Sequence, residues 1–173
     1  MIQKVTDYKL IIEGHDGLII KFNSEKPEKL IDDRSLFGVE DPQLIEQIKA
    51  KPFILKRNLH VCVEKGEEKY EFVIPRGFCH DGASIPSFAW LLIGQKTEPR
   101  LKLASCVHDY MCEHHVVIGG NRRLSTEVFI TLCEVFGKFN KVKRNIMFTS
   151  INIFQKVFCG WGNWLYFKRY MES

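Results

Sequence analysis

The fold of this chain follows from residues 59–75, which read Leu59-His60-Val61-Cys62-Val63-Glu64-Lys65-Gly66-Glu67-Glu68-Lys69-Tyr70-Glu71-Phe72-Val73-Ile74-Pro75. Two runs rich in β-branched and aromatic residues flank a polar turn that contains Gly66, and this arrangement is typical of a β-hairpin. Further upstream, the apolar runs of residues 9–13 and 17–23 flank His15-Asp16-Gly17, and such an Asp-Gly turn favours a second hairpin. The first half of the chain is therefore expected to form a small antiparallel β-sheet.

Helical periodicity replaces the strand pattern from Pro99 onward, where apolar residues recur at helical spacing at Leu101, Ala104, Val107 and Met111. Gly119-Gly120 interrupts this pattern. A second helix is expected to begin at Leu124 or Ser125 and to end at Gly137, and a third covers residues 140 to 158. Strands followed by helices predict an α+β fold, in which a small antiparallel β-sheet precedes a cluster of about three helices.

The segments that connect these elements carry their own signals. Residues 23–33 are polar and contain Pro27, which predicts a loop. Asp41-Pro42 predicts the start of a short helix, because Asp41 can cap it and proline suits the first helical position. Pro52 is expected to end this helix, and residues 53–55 are expected to form a strand. Residues 76–86 read as a loop rich in small residues.

Composition places the chain among ordinary globular proteins, with 45% hydrophobic and 27% charged residues. The net charge of +4 is compatible with an anionic partner but falls short of a nucleic-acid-binding signature. No secretory signal is recognised in residues 1–10, and the six cysteines form no CxxC pair, so free thiols and an intracellular location are expected. For a viral protein that location is the host cytoplasm, with the virion as the alternative.

Two His-Asp pairs stand among apolar residues: His80-Asp81 in the loop and His108-Asp109 in the first long helix. Charged and imidazole groups in such surroundings are costly unless they are paired or bound to a metal. If the loop folds against the helix, four candidate site residues converge: Asp81, Ser84, His108 and Asp109. They offer an imidazole, carboxylates and a hydroxyl for acid–base chemistry, and ligands suited to a divalent metal. Cys112 lies one helical turn after His108, on the same face.

A structural role for the same residues is a full alternative. Asp81 can accept hydrogen bonds from the backbone amides of residues 82–84, and His108 can be a core histidine bonded to Asp81. In that interpretation both pairs stabilise the fold and take no part in chemistry.

The chain resembles a phage-associated family called domain of unknown function 1353. The resemblance rests on Ile74 to Pro86 with Trp90 and Gly94, followed by Ala104 and His108-Asp109-Tyr110. Within that pattern, Asp81, Ser84, Pro86, His108 and Asp109 match position by position. The family often has threonine in place of His80, and an Ala-Asp pair where this chain has Ser125-Thr126. The resemblance implies an α+β fold and a bacteriophage setting, and it supplies no activity.

The resemblance also suggests a division of the chain. Residues 52–159 form the family-like α+β core, and residues 1–51 are an addition that contributes a β-hairpin and a short helix. Residues 160–173 form an aromatic and basic C-terminal tail.

Three functions follow as hypotheses. The first is a phage accessory protein with a hydrolase-like or metal-dependent site, where His108 is the general base or a metal ligand and Asp109 or Asp81 orients it. Ser84 then fixes the loop, because no nucleophile-elbow sequence surrounds it. The second is a non-enzymatic binding protein, either a host-takeover factor or a virion component. The third is a nucleic-acid-binding factor that uses Lys141, Lys143 and Arg144.

Two further possibilities are weaker. A zinc site is conceivable, but the spacing of its candidate ligands matches no familiar zinc module; these are Cys79, His80, Cys106, His108, Cys112, His114 and His115. A membrane-spanning helix over residues 146–167 is not expected, because Asn152, Gln155, Lys156 and Asn163 interrupt the apolar run.

Overall fold

The computed structural model of the chain describes residues 7–82 and 99–157, except the side chains of Arg144 and residues 152–157. The β-strands of this part are β1 (Leu10–Glu13), β2 (Leu18–Phe22), β3 (Ile31–Asp33), β4 (Phe53–Leu55), β5 (Leu59–Lys65), β6 (Glu68–Ile74) and β7 (Cys79–His80). Its α-helices are α1 (Pro42–Ala50), α2 (Lys102–Glu113), α3 (Arg122–Val135) and α4 (Lys141–Val157). Short 3-10 helices cover His15–Gly17, Pro27–Leu30, Pro99–Leu101 and His115–Ile118. The α+β prediction is confirmed.

The larger sheet has the order β1-β2-β5-β6, with every neighbouring pair antiparallel. Both expected hairpins are present, one formed by β1 and β2 and the other by β5 and β6. Alternate residues of β2 are buried, which places Leu18, Ile20 and Phe22 in the core. Because β2 also pairs with β5, the first hairpin extends the sheet of the second. The division of the chain at residue 51 stays a prediction.

A second sheet, which the sequence did not predict, has the order β3-β4-β7. It corrects two loop assignments, because β3 lies inside the expected loop of residues 23–33 and β7 inside that of residues 76–86. Ile31 pairs with Leu55, and Phe53 pairs with His80. Strands of two or three residues are too short for a periodic pattern, and their partners lie far away in sequence. Long-range pairing therefore decides their structure.

The predicted cap of α1 is confirmed. Asp41 Oδ1 accepts a hydrogen bond from the Gln43 amide at 2.9 Å, and Pro42 occupies the first turn. The helix ends at Ala50, before Pro52, because the residue preceding a proline disfavours the helical conformation.

The expected start of α3 was wrong by two to three residues. The helix begins at Arg122, and the Asn121 side chain accepts a hydrogen bond from the Leu124 amide at 3.0 Å. Arg123 is exposed, whereas Leu124 is buried. The apolar pattern therefore begins only after the first exposed positions of the helix, which explains the error.

The core joins the larger sheet to α2 and α3, since buried residues of all these elements form one apolar cluster. Helix α3 packs on α2 and α4 packs on α3, while α2 also contacts β7. In the part of the chain that the structure describes, no helix combines the length and the apolar character needed to cross a membrane.

Candidate functional site

His80 lies at the end of β7, inside the protein, with only 1% of its surface exposed. Its ring lies 5.3 Å from the ring of Phe53 and 6.4 Å from that of Phe78, measured between centroids. Its Nδ1 is 3.4 Å from Ser105 Oγ on α2, and its Nε2 has no hydrogen-bond partner among the described residues. Burial lowers the pKa of His80 to about 4, so the imidazole is neutral at neutral pH.

The contact between His80 and Ser105 brings the loop after β7 to one face of α2. Asp109 lies one turn after Ser105, so the residue that follows His80 arrives beside Asp109. The Asp81 carboxyl indeed lies close enough to Asp109 to add to the effect of burial and raise the pKa of the Asp109 carboxyl. The two His-Asp pairs therefore meet in space, which the sequence alone left open.

His108 is the centre of the cluster. Its Nδ1 lies 3.4 Å from Asp109 Oδ1, and its Nε2 lies 3.6 Å from Cys112 Sγ. The ring also packs 5.3 Å from the ring of Phe129 on α3, again between centroids. His108 and Asp109 are 8% and 9% exposed, so water screens their interaction weakly.

Burial and the neighbouring side chains shift the pKa of His108 in opposite directions. Burial by itself lowers the pKa of His108, but the neighbouring Cys112 and Asp109 side chains outweigh this effect and raise it. For Asp109, burial is the largest effect and raises the pKa to about 6, with Asp81 acting in the same direction and His108 against it. The site therefore favours a cationic imidazole beside a carboxyl group that titrates slightly below neutrality.

Cys112 is a partly exposed residue whose Sγ also lies 3.6 Å from Ser125 Oγ on α3. Burial by itself raises the pKa of this thiol, but His108, Ser125 and Arg122 outweigh burial and lower it. The buried thiols of Cys106 and Cys133 have raised pKa values, because burial dominates there. The pKa of Cys112 is thus lowered, whereas the pKa values of Cys106 and Cys133 are raised.

Among the four predicted site residues, the structure brings together Asp81, His108 and Asp109. Ser84 lies outside the described residues, so its position in the site stays a prediction. Sequence reasoning recognised the shared face of His108 and Cys112 but did not assign Cys112 to the site. The four-residue spacing was the available signal, since it places two side chains in contact on a helix.

The described residues contain no group of three or more His, Cys, Asp or Glu side chains arranged to hold a metal ion. Within the zinc set suggested by the sequence, His108 and Cys112 are in contact, whereas Cys106 is fully buried and His80 packs against the rings of Phe53 and Phe78. A cavity of about 540 Å³ lies elsewhere, between the His15–Gly17 turn and helices α3 and α4, and is lined by residues such as Arg123, Glu127 and Lys141. None of the clustered residues lines it.

Lys51 supplies positive charge at the edge of the site. Its Nζ lies 2.9 Å from Glu113 Oε1, and its pKa is raised by that hydrogen bond first and, more weakly, by Asp109 and Asp81. The side chain therefore connects the end of α1 to the C-terminal end of α2.

A comparison with known protein families finds a match over the part of the chain that contains this cluster. The family model described as Protein of unknown function (DUF1353) matches residues 54–151, more than half of the chain, and the protein belongs to this family. The match runs from the second residue of β4 through α3 into α4, and thus covers every described residue of the cluster. No curated protein and no solved structure matches the chain.

Proposed function

We propose that the protein is a phage accessory protein with a small hydrolase-like site centred on His108. In this proposal His108 moves a proton during hydrolysis, while Asp109 positions its ring and Asp81 adjusts the charge of Asp109. The observation that carries the proposal is the meeting of Asp81 with the His108-Asp109 pair, although 27 residues of sequence separate Asp81 from His108. The phage setting rests on the sequence resemblance, and the host cytoplasm or the virion is the location that goes with it.

The arrangement contains the parts that acid–base catalysis needs. An imidazole with one nitrogen facing a carboxyl group is held in one orientation, and its other nitrogen is left to exchange a proton. Perturbed pKa values concentrated in one cluster are typical of functional sites, although ion pairs that only stabilise a fold can produce them as well.

A hydrolase screen tests the proposal directly. Ester, amide and phosphoester substrates are offered to the wild type, to His108→Gln and to His15→Gln, with melting temperatures measured in parallel. His15 is the matched control, because it is an exposed histidine whose Nε2 lies 3.3 Å from Glu134 at the surface. We expect His108→Gln to reduce hydrolysis by about 10²-fold or more, since general acid–base catalysis contributes that much. His15→Gln should retain the wild-type rate.

The non-enzymatic hypothesis predicts the opposite pattern. No substrate of the panel would be hydrolysed, and His108→Gln would act only by lowering the melting temperature. Elemental analysis of protein purified without chelator tests whether the hydrolase-like site depends on a metal. A stoichiometric metal that is lost in Asp81→Ala would support a metal-dependent site. Retention on DNA that falls with salt and with neutralisation of Lys141, Lys143 and Arg144 would favour the nucleic-acid hypothesis.

A further inference from the structure

We propose that Cys112 is the nucleophile of this site and that its substrates are carboxylic esters or amides, which it would cleave through a thioester. This inference rests on the proposed hydrolase function and adds the attacking atom and the bond that is cleaved. The geometry places Cys112 Sγ 3.6 Å from His108 Nε2, while His108 Nδ1 faces Asp109 Oδ1 at 3.4 Å. Cys112, His108 and Asp109 thereby form a row in which the nucleophile contacts the base and the base contacts the group that orients it.

The row is built by local and tertiary structure together. His108 and Cys112 are four residues apart on α2, which places both side chains on one face. Helix α3 supplies the opposite wall, with Phe129 against the His108 ring and Ser125 against Cys112 Sγ. Because α3 packs along this face, the imidazole has little freedom to turn away from the thiol.

The surroundings of the thiol favour its reactive form. Its charged neighbours are His108 on its own helix and Arg122 on α3, and both stabilise a thiolate. Asp109 on α2 faces the other side of the imidazole, and Asp81 after β7 lies beside Asp109, with Lys51 near both carboxyl groups. Negative charge on Asp109 supports the imidazolium, so protonation of Asp109 below pH of about 6 weakens the thiolate.

The reaction balances with water as the only co-substrate. The Cys112 thiolate attacks the carbonyl carbon, the bond from carbon to the leaving oxygen or nitrogen breaks, and His108 donates its Nε2 proton to the leaving group. Water then attacks the thioester while His108 accepts a proton from it. The C–S bond breaks, a carboxylic acid leaves, and the thiolate beside the imidazolium is restored.

Alkylation by iodoacetamide measures the nucleophile without any knowledge of the substrate. Site-resolved mass spectrometry of the full chain gives the rate at each cysteine between about pH 5.5 and 9, across the range in which thiols titrate. Cys79 is the matched control, because it is also partly exposed, its Sγ lies 3.3 Å from the Gly77 carbonyl, and no histidine among the described residues is hydrogen-bonded to it. Near pH 6.5 we expect Cys112 to react about tenfold faster than Cys79 or more, because the His108 imidazole beside Cys112 stabilises the thiolate, which is the reacting form.

A second probe tests the covalent step. With p-nitrophenyl acetate, we expect an acetyl group on Cys112 after acid quenching and none on Cys79. Cys112→Ala should abolish both the acetyl group and the hydrolysis found in the screen, whereas Cys79→Ser should leave both unchanged.

Two results would overturn the inference. In the first, Cys112 of the wild type reacts no faster than Cys79 near neutral pH, a comparison that needs no variant to fold. In the second, Cys112→Ala keeps a hydrolysis that His108→Gln loses. That second result would leave the proposed hydrolase function intact and assign the attack to water.

Discussion

His80 at the end of β7 and His108 in the middle of α2 are both nearly inaccessible to water, yet their neighbours differ. His80 packs against the aromatic rings of Phe53 and Phe78, and burial lowers its pKa to about 4. His108 faces a carboxyl group and a thiol, which raise its pKa in spite of burial. The comparison shows that burial alone does not decide the charge of a histidine; the groups that face its two nitrogens decide it.

The largest expected effect comes from removing the imidazole of His108. His108→Leu leaves the Asp109 carboxyl buried beside Asp81 without its partner, and breaking a buried pair in this way costs about 3–5 kcal/mol. The double variant His108→Leu/Asp109→Asn should recover much of this loss, because a neutral amide can still donate a hydrogen bond to Asp81. Urea unfolding of the wild type, both single variants and the double variant measures the coupling. Strictly additive losses would show that His108 and Asp109 do not interact.

The next effect concerns His80 and the loss of protein stability at acidic pH. The pKa of His80 in the folded protein lies below the ordinary histidine value of 6.5, so the folded state binds fewer protons than the unfolded state between pH 6.5 and about 4. The stability that His80 contributes is present above pH 6.5 and is lost as the pH falls toward 4. The full loss is on the order of 3 kcal/mol, since each pKa unit corresponds to about 1.4 kcal/mol.

His80→Phe should remove this dependence, because a phenyl ring keeps an aromatic side chain beside Phe53 and Phe78 and does not titrate. Asp109 acts with the opposite sign in the same window, so the difference between variant and wild type isolates His80. Urea unfolding at several pH values gives that difference. Parallel pH profiles for His80→Phe and the wild type would contradict the assignment of a neutral, buried His80.

The smallest effect is expected at Lys51, at the edge of the site around His108. Lys51→Met removes a partly exposed ion pair with Glu113, which is worth less than about 1 kcal/mol. The same change removes positive charge near Asp109 and Asp81, so the pKa of Asp109 should rise. Lys56→Met is the control, because Lys56 pairs with exposed Asp32 at 3.3 Å. NMR titration of the Asp109 carboxyl should move only in the Lys51 variant, and an unchanged pKa would contradict the role of Lys51.

Sequence reasoning was most successful where a signal is local. Both hairpins of the larger sheet, the Asp41 cap and the three long helices follow from residue periodicity and turn chemistry. It failed for β3 and β7, whose two or three residues show no period and whose pairing depends on β4. The start of α3 was misplaced because its first turn is polar.

For the site, sequence identified Asp81, His108 and Asp109 by type and setting but could not assign their contacts. Cys112 was placed on the correct face of α2 yet was not recognised as a partner of His108. The assignment required the position of α3, because Ser125 and Phe129 enclose the thiol and the imidazole from the other side.

The sequence by itself determined the α+β order of elements, the family membership and the residues that can supply chemistry, because each depends on neighbours within a few positions. Only the tertiary structure decided that Asp81 meets Asp109, that His80 is enclosed by aromatic rings and that His108 lies between a carboxyl group and a thiol. Those contacts depend on β7 pairing with β4 and on α2 packing against β7 and α3. Such long-range packing is set by the burial of the whole core, which no local pattern records.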